Sequence, residues 1–127
     1  MERQTKKLYI AIVDDEPSLC EAIKGLLGSA GFRTIAFGSA EEFLESRHRD
    51  QIACLILDVR LPGMSGLELQ QHLAAAGYKV PVAFVTSQDD RDGRVREQAL
   101  RSGALAFLPK PFSDEQLLAI VKWAVGK

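Results

Sequence analysis

Short apolar runs alternate along the chain with stretches of helical spacing, and this alternation restricts the fold more than any other feature of the sequence. The runs cover residues 8–13, 33–37, 52–57, 80–85 and 104–108, each of strand length. The intervening stretches carry apolar residues on one helical face, most clearly Leu19, Ala22, Ile23, Leu26 and Leu27, and again Leu117, Ile120, Val121 and Ala124. Ser39-x-x-Glu42 and Ser113-x-x-Gln116 read as capping boxes and Pro17 suits a first helical position, so helices are expected to begin there. Gly31, Gly77 and Gly103 each follow a helical stretch and precede a strand run, where a left-handed C′ residue is wanted.

Strict β-α alternation implies a mostly parallel sheet with helices on both faces. The first, third and fourth runs are almost wholly apolar and fit interior strands, whereas Arg33-Thr34-Ile35-Ala36-Phe37 is mixed and fits an edge. The order 2-1-3-4-5 satisfies both observations. It sets strands one and three side by side at the topological switch point, with a crevice outside their carboxyl ends. A chain of 127 residues is expected to form one domain over 1–127, with a charged, flexible leader over 1–7.

Composition narrows the function classes. A hydrophobic share of 46% and a charged share of 26% describe a globular chain with enough apolar material for a core. A formal net charge of -1 supplies no bulk attraction to nucleic acid or to an anionic membrane. Cys20 and Cys54 stand alone in apolar segments without metal-ligand spacing and are expected as buried thiols. The leader runs into too few apolar residues for a signal peptide or a membrane span, so a cytoplasmic location is expected.

The strand ends carry the chemistry. Asp14-Asp15 follow the first strand, Asp58 the third, Thr86 the fourth and Lys110 the fifth, so four strands present polar groups on one rim. Two unit charges about 5 Å apart at an effective dielectric of about 20 repel by about 3 kcal/mol, so clustered carboxylates call for cations. Lys110 supplies one, and an oxygen-rich, partly filled site favours a hard divalent ion, Mg²⁺ above all. A site neutralised in this way can accept a phosphoryl group on a carboxylate. Asp58, on the central strand, is the best nucleophile; Asp15 faces the metal; Thr86 is placed to donate its hydroxyl to a phosphoryl oxygen, and the small Ser87 leaves room for the group. Taken singly, each residue has a blander reading: Asp14-Asp15-Glu16 as helix capping, Asp58 as a turn residue, Lys110 as solvated surface. Their joint occurrence on the ends of strands that one topology brings together is what favours a site.

Those residues fall in motifs that resemble bacterial response-regulator receiver domains of two-component systems, from Leu8 to about Val125. The motifs are Val13-Asp14-Asp15-Glu16, Leu57-Asp58-Val59-Arg60-Leu61-Pro62-Gly63-Met64-Ser65-Gly66, Val85-Thr86-Ser87 and Phe107-Leu108-Pro109-Lys110-Pro111-Phe112, and their wording is similar to the FixJ-like subgroup. The resemblance implies a flavodoxin-like (βα)5 three-layer sandwich, and phosphorylation of Asp58 by a sensor histidine kinase. It implies Mg²⁺ held by Asp15, Asp58 and the backbone carbonyl of Arg60, with Asp14 acting through water, and phosphate contacts from Thr86 and Lys110. Pro111 looks like the family's cis-proline. Phe107 stands at the position of the switch aromatic, often tyrosine, so any coupling to Thr86 is steric; the competing reading is a fixed core residue. Such a domain catalyses only its own phosphorylation and dephosphorylation. Members of the subgroup usually carry a DNA-binding output domain, so the chain is expected to be a free-standing receiver or part of a longer transcription regulator, with homodimerisation through the fourth helix, fifth strand and fifth helix on phosphorylation.

Kinase recognition is expected at Pro17, Ser18 and Glu21 beside the acidic pocket, with Phe112 across the rim. The polar stretch 89–96, in which Gly93 weakens a helix by about 1 kcal/mol relative to alanine, is expected to rearrange on phosphorylation together with the fifth strand. His48 and His72 read as solvated helix residues, the arginines at 91, 94, 96 and 101 as a solvated helix face, and Trp123 as covering the sheet or a dimer contact. A phosphatase using a DxD pattern would carry its nucleophile after the first strand and need a cap domain. A flavodoxin-like electron carrier would need a hydroxyl- and glycine-rich loop where Asp14-Asp15-Glu16 stands. A phosphorylation-independent interaction module of the same fold is the remaining alternative, weakened because every chemical position is filled by a workable residue.

Overall fold

Each apolar run becomes a strand in the computed structural model, which describes residues 7–87 and 93–126. The elements are β1 (Tyr9–Val13), α1 (Pro17–Ser29), β2 (Arg33–Phe37), α2 (Ala40–Leu44), a 3₁₀ turn (Arg49–Gln51), β3 (Ile52–Asp58), α3 (Gly66–Ala75), β4 (Val82–Thr86), α4 (Arg94–Arg101), β5 (Ala106–Pro109) and α5 (Asp114–Ala124). The strands form one parallel sheet in the order β2-β1-β3-β4-β5. This is the α/β, flavodoxin-like (βα)5 sandwich expected from the alternation.

Alternate residues of the central strands feed two separate cores. Ala11 and Val13 of β1 and Leu55 and Leu57 of β3 pack with Phe43, Leu69, Phe84 and Ala99 beneath α2, α3 and α4. Ile10, Ile12, Cys54 and Ile56 pack with Ile23, Leu27, Leu117 and Val121 beneath α1 and α5. β1 and β3 are therefore held from both faces, and whatever follows their carboxyl ends is anchored on strands packed into both cores. Both thiols are buried, and burial pushes Cys54 up to about 12, which suppresses the reactive thiolate.

Element ends differ from expectation for identifiable reasons. β4 starts at Val82 because Pro81 has no N–H to give the ladder, although its carbonyl accepts from Leu55 N–H at 2.9 Å. β5 starts at Ala106 because the Ala104 N–H is engaged with the Ala99 carbonyl in closing α4. Gly31, Gly77 and Gly103 do follow the caps of α1, α3 and α4 with φ of 95°, 75° and 100°. Gly93 is not inside a helix: it is the N-cap of α4 with φ 75°, a conformation in which glycine costs little, so the expected weakening of a helix interior does not apply. Residues 89–92 of the expected mobile stretch lie outside the described residues, as do residues 1–6 of the leader.

The Ser113–Gln116 capping box forms as read. At α2 the arrangement is displaced: Ser39 accepts from Glu42 N–H, but the Glu42 carboxylate receives Gly38 N–H rather than that of Ser39. Trp123 does not cover the sheet, because it lies on the outer face of α5 and is 70% exposed. His48 is half-buried rather than solvated on a helix; its ring meets Tyr9 edge-on and Nδ1 lies 3.0 Å from Gln51 Oε1.

Candidate functional site

Parallel pairing fixes which strand ends share a rim. Val13 lies opposite Leu57, Asp58 opposite Val85, and Thr86 opposite Pro109, so the residues that follow β1, β3, β4 and β5 emerge together. The carboxylates of Asp14, Asp15 and Asp58 converge there, each offering an oxygen, with these oxygens all within 4.8 Å of one another.

The three acids occupy different environments. Asp14 is 1% exposed; its Oδ1 accepts from Glu16 N–H at 2.9 Å and its Oδ2 from Lys110 Nζ at 3.2 Å. Asp15 is exposed. Asp58, 6% exposed, accepts from Arg60 N–H at 3.2 Å and lies 3.6 Å from Lys110 Nζ. Burial, reinforced by the charges of Asp14 and Asp15, pushes the Asp58 carboxyl up to about 6, against the opposing pull of the Arg60 N–H and of Lys110. Burial also works against the charge on Lys110, but Asp58, Asp14 and Glu16 outweigh it and hold the ammonium above its ordinary value.

Lys110 is placed by its own backbone, whose N–H donates to the Thr86 carbonyl at 2.6 Å, and the following Lys110–Pro111 bond is cis. Thr86 is buried and Ser87 beside it is exposed, so the end of β4 presents a small polar rim. Phe107 lies across from Phe84 with ring centroids 6.3 Å apart and is half-buried, packed against the core rather than enclosed by it.

The donor set suits a hard cation: of three clustered carboxylates, Asp14 and Asp58 share one ammonium and Asp15 is exposed, leaving oxygen ligands and negative charge in excess. Arg60 is the second residue of the loop that leaves β3 on the same rim. A groove beside the site is lined by Glu16, Leu19, Ile23, Ser87, Lys110 and Phe112, among others. It includes Phe112 but not Pro17, Ser18 or Glu21, which lie exposed on the first turns of α1.

Sequence reading passed over three contributors. Glu16 places Oε1 3.7 Å from Lys110 Nζ, a third anchor. Ser65 and Glu68 form a full capping box at α3, legible as S-x-x-E before an apolar stretch. Gly66 packs so closely on β3 that a Cβ would lie 2.1 Å from the Asp58 carbonyl oxygen, a demand for glycine that has no local signature.

Residues 10–122 match the model of the response regulator receiver domain. The chain is 43% identical over 115 residues to nodulation protein W of Bradyrhizobium diazoefficiens, covering 91% of this chain and 50% of that protein. It is 40% identical over 125 residues to the response regulator protein TmoT of Ectopseudomonas mendocina, covering 98% and 55% respectively. The solved structure of the response regulator StyR superimposes with a TM-score of 0.84 at 43% identity, covering 94% of this chain and 59% of that one. The structure described as FixJ-N does so with a TM-score of 0.80 at 29% identity, covering 98% and 95%. The chain thus spans about half the length of the full regulators it matches. By motif, fold and relatives alike, it belongs to the receiver domains of two-component response regulators.

Proposed function

We propose that Asp58 accepts a phosphoryl group from the phosphohistidine of a sensor kinase, and that Asp15, Asp58 and the backbone carbonyl of Arg60 hold Mg²⁺ for that reaction, with Asp14 acting on the ion through water. The observation that carries this reading is the convergence of three carboxylates, with oxygens within 4.8 Å of one another, beside a lysine 3.6 Å from Asp58. Bound there, Mg²⁺ would offset negative charge on the transferring group and on the acids around it.

The chain's own groups supply the rest. With a carboxyl titrating at about 6, Asp58 is an anion in neutral solution and can attack phosphorus through one oxygen while the kinase imidazole leaves with the P–N bond electrons. Lys110 Nζ, fixed between Asp14 and Asp58, pairs with a phosphoryl oxygen, and the Thr86 hydroxyl donates to another. Thr86, drawn toward the group, leaves space into which Phe107 can turn, a steric signal toward β5 and α4. Chemistry of this kind makes the domain a catalyst of its own phosphorylation and dephosphorylation only.

The proposed partners are the kinase, recognised at Pro17, Ser18, Glu21 and Phe112, a second copy meeting through α4, β5 and α5, and an output domain acting on transcription. The transcriptional regulators among the relatives support the last. The proposed location is the cytoplasm; among the described residues no helix is long and apolar enough to cross a membrane.

Incubation with Mg²⁺ and a small acyl-phosphate donor, followed by intact-mass measurement, tests the reading. The native chain is expected to gain one phosphoryl group and Asp58→Asn none. An unchanged native mass would favour an interaction module, and rapid turnover of varied phosphate esters a phosphatase.

A further inference from the structure

Seven residues, 59–65, join β3 to α3 and carry the Arg60 carbonyl, so the position of that oxygen depends on what holds the loop. Four of its holds come from neighbours in sequence: Arg60 N–H to Asp58 Oδ1, Ser65 N–H to Glu68 Oε1, Glu68 N–H to Ser65 Oγ, and Gly66 N–H to the Val59 carbonyl. At its start the loop is held from β4, where Val59 N–H reaches the Val85 carbonyl at 3.3 Å. Towards its far end it is gripped from α2: Met64 N–H donates to Glu41 Oε2 at 2.8 Å across 23 residues of sequence.

That contact has been given room. Gly63, with φ 74°, lies so close that a Cβ there would stand 2.7 Å from Glu41 Oε2 and 3.3 Å from Cδ and Oε1. The glycine therefore admits the carboxylate as well as the left-handed turn. The hydrogen bond from Met64 N–H is also the main cause that draws the Glu41 carboxyl below its ordinary value, followed by its own backbone N–H. Glu41 does not float at the surface on a loose helix. Its neighbours Ala40 and Phe43 are fully buried in the same core as Val59 and Leu61, so the carboxylate is carried by a rigid element.

We propose that Glu41 is a positioning residue for the phosphoacceptor site, pinning the β3–α3 loop to α2 so that the Arg60 carbonyl faces the ion; the inference rests on the functional reading above. The role needs an acceptor at this point rather than a charge. Glu41→Gln keeps an acceptor oxygen, whereas Glu41→Ala removes it, and Glu45→Ala makes the same charge change on an exposed position just beyond α2.

The test combines amide exchange of the metal-free protein with titration by MgCl₂ followed by calorimetry. In Glu41→Ala the Met64 amide is expected to exchange about 10-fold faster or more. Its Mg²⁺ dissociation constant is expected to rise about 3–10-fold, while acyl-phosphate labelling of Asp58 at saturating Mg²⁺ stays within about 2-fold of the native rate. Glu41→Gln is expected to stay near the native protein in both measurements, and Glu45→Ala to leave the Met64 amide unchanged. Equal weakening of Mg²⁺ binding in Glu45→Ala or Glu41→Gln would reduce the effect to charge and overturn the proposal, as would native affinity in Glu41→Ala. Failure of the native protein to bind Mg²⁺ would instead overturn the reading of the Asp58 site, and this inference with it.

Discussion

Replacing Asp58 by asparagine should make the metal-free protein more stable, by an amount that depends on pH. The Asp58 carboxyl titrates at about 6 in the fold against an ordinary value of 3.8. A raised folded value means that the native state holds the proton more tightly than the unfolded chain. Stability from this group is therefore fully present below about pH 4 and is lost as pH rises through about 6. At 1.36 kcal/mol per unit, the difference amounts to about 3 kcal/mol above the window, taken as an upper figure because water and side chains relax around a buried anion. Asparagine resembles the protonated acid in shape and still accepts from the Arg60 N–H, so it should recover that amount without opening a cavity. Urea unfolding of both proteins in chelator-treated buffer would read the difference: about 2–3 kcal/mol in favour of Asp58→Asn near pH 8, shrinking toward zero near pH 4. Carboxylates remote from the site act equally on both proteins and drop out of the comparison, while the repulsion from Asp14 and Asp15 is part of the difference read. A variant less stable than native at pH 8, or a gain that does not change with pH, would refute the idea that the site stores electrostatic strain at Asp58.

Two further substitutions probe the supports of the site. Gly66→Ala should destabilise by about 3 kcal/mol or more, since its Cβ would meet the Asp58 and Val59 backbone at 2.1–3.0 Å and nothing there can move aside cheaply; a denaturant midpoint within experimental error of native would contradict it. Lys110→Met should cost about 2–4 kcal/mol at about pH 8, because Asp14, 1% exposed, loses its cation, and it should raise the Asp58 carboxyl further above about 6. The penalty should shrink in acid as Asp58 protonates, and carbon-detected NMR titration of the Asp58 carboxyl would show an unmoved midpoint if the lysine contributes nothing.

The sheet was legible because two independent signals agreed. Alternation of apolar runs with helical stretches set a parallel sheet, and the difference between the mixed run 33–37 and its wholly apolar neighbours set which strand is the edge. Once strand order is known, parallel pairing brings the carboxyl ends of β1, β3, β4 and β5 to one rim, so Asp14, Asp15, Asp58, Thr86 and Lys110 could be grouped without coordinates. What could not be read depends on contacts between segments distant in sequence. Glu41 looks like any acidic residue in a first helical turn until α2 is seen against the β3–α3 loop. Gly66 looks like a helix-opening glycine until its distance to β3 is known. Of the two places offered for Trp123, the sheet is excluded because the apolar face of α5 is already completed by Leu117 and Val121 and the indole is left exposed. Gly93 was misread because a helix boundary was placed before it rather than at it.

Lys110 is shared unevenly between the two buried acids. Its ammonium lies 3.2 Å from Asp14 and 3.6 Å from Asp58, and the other oxygen of Asp14 is already served by the Glu16 N–H. Asp14 is thus satisfied on both oxygens, Asp15 is open to water, and Asp58 is buried with one backbone N–H and the more distant share of the lysine. Of the three, Asp58 gains most from a further cation, because the other two already have compensation that a cation would only replace. A residue in that position is under-compensated in the metal-free state by construction of the fold around it. Moving Lys110 toward Asp58 would relieve it and, by the same step, weaken the attraction proposed for a divalent ion. On the proposed reading a bound divalent ion would offset the cost at Asp58, visible as a rise in stability with added MgCl₂ of about 1.4 kcal/mol per decade above the dissociation constant in the native protein, a rise that in Asp58→Asn should begin only at higher MgCl₂.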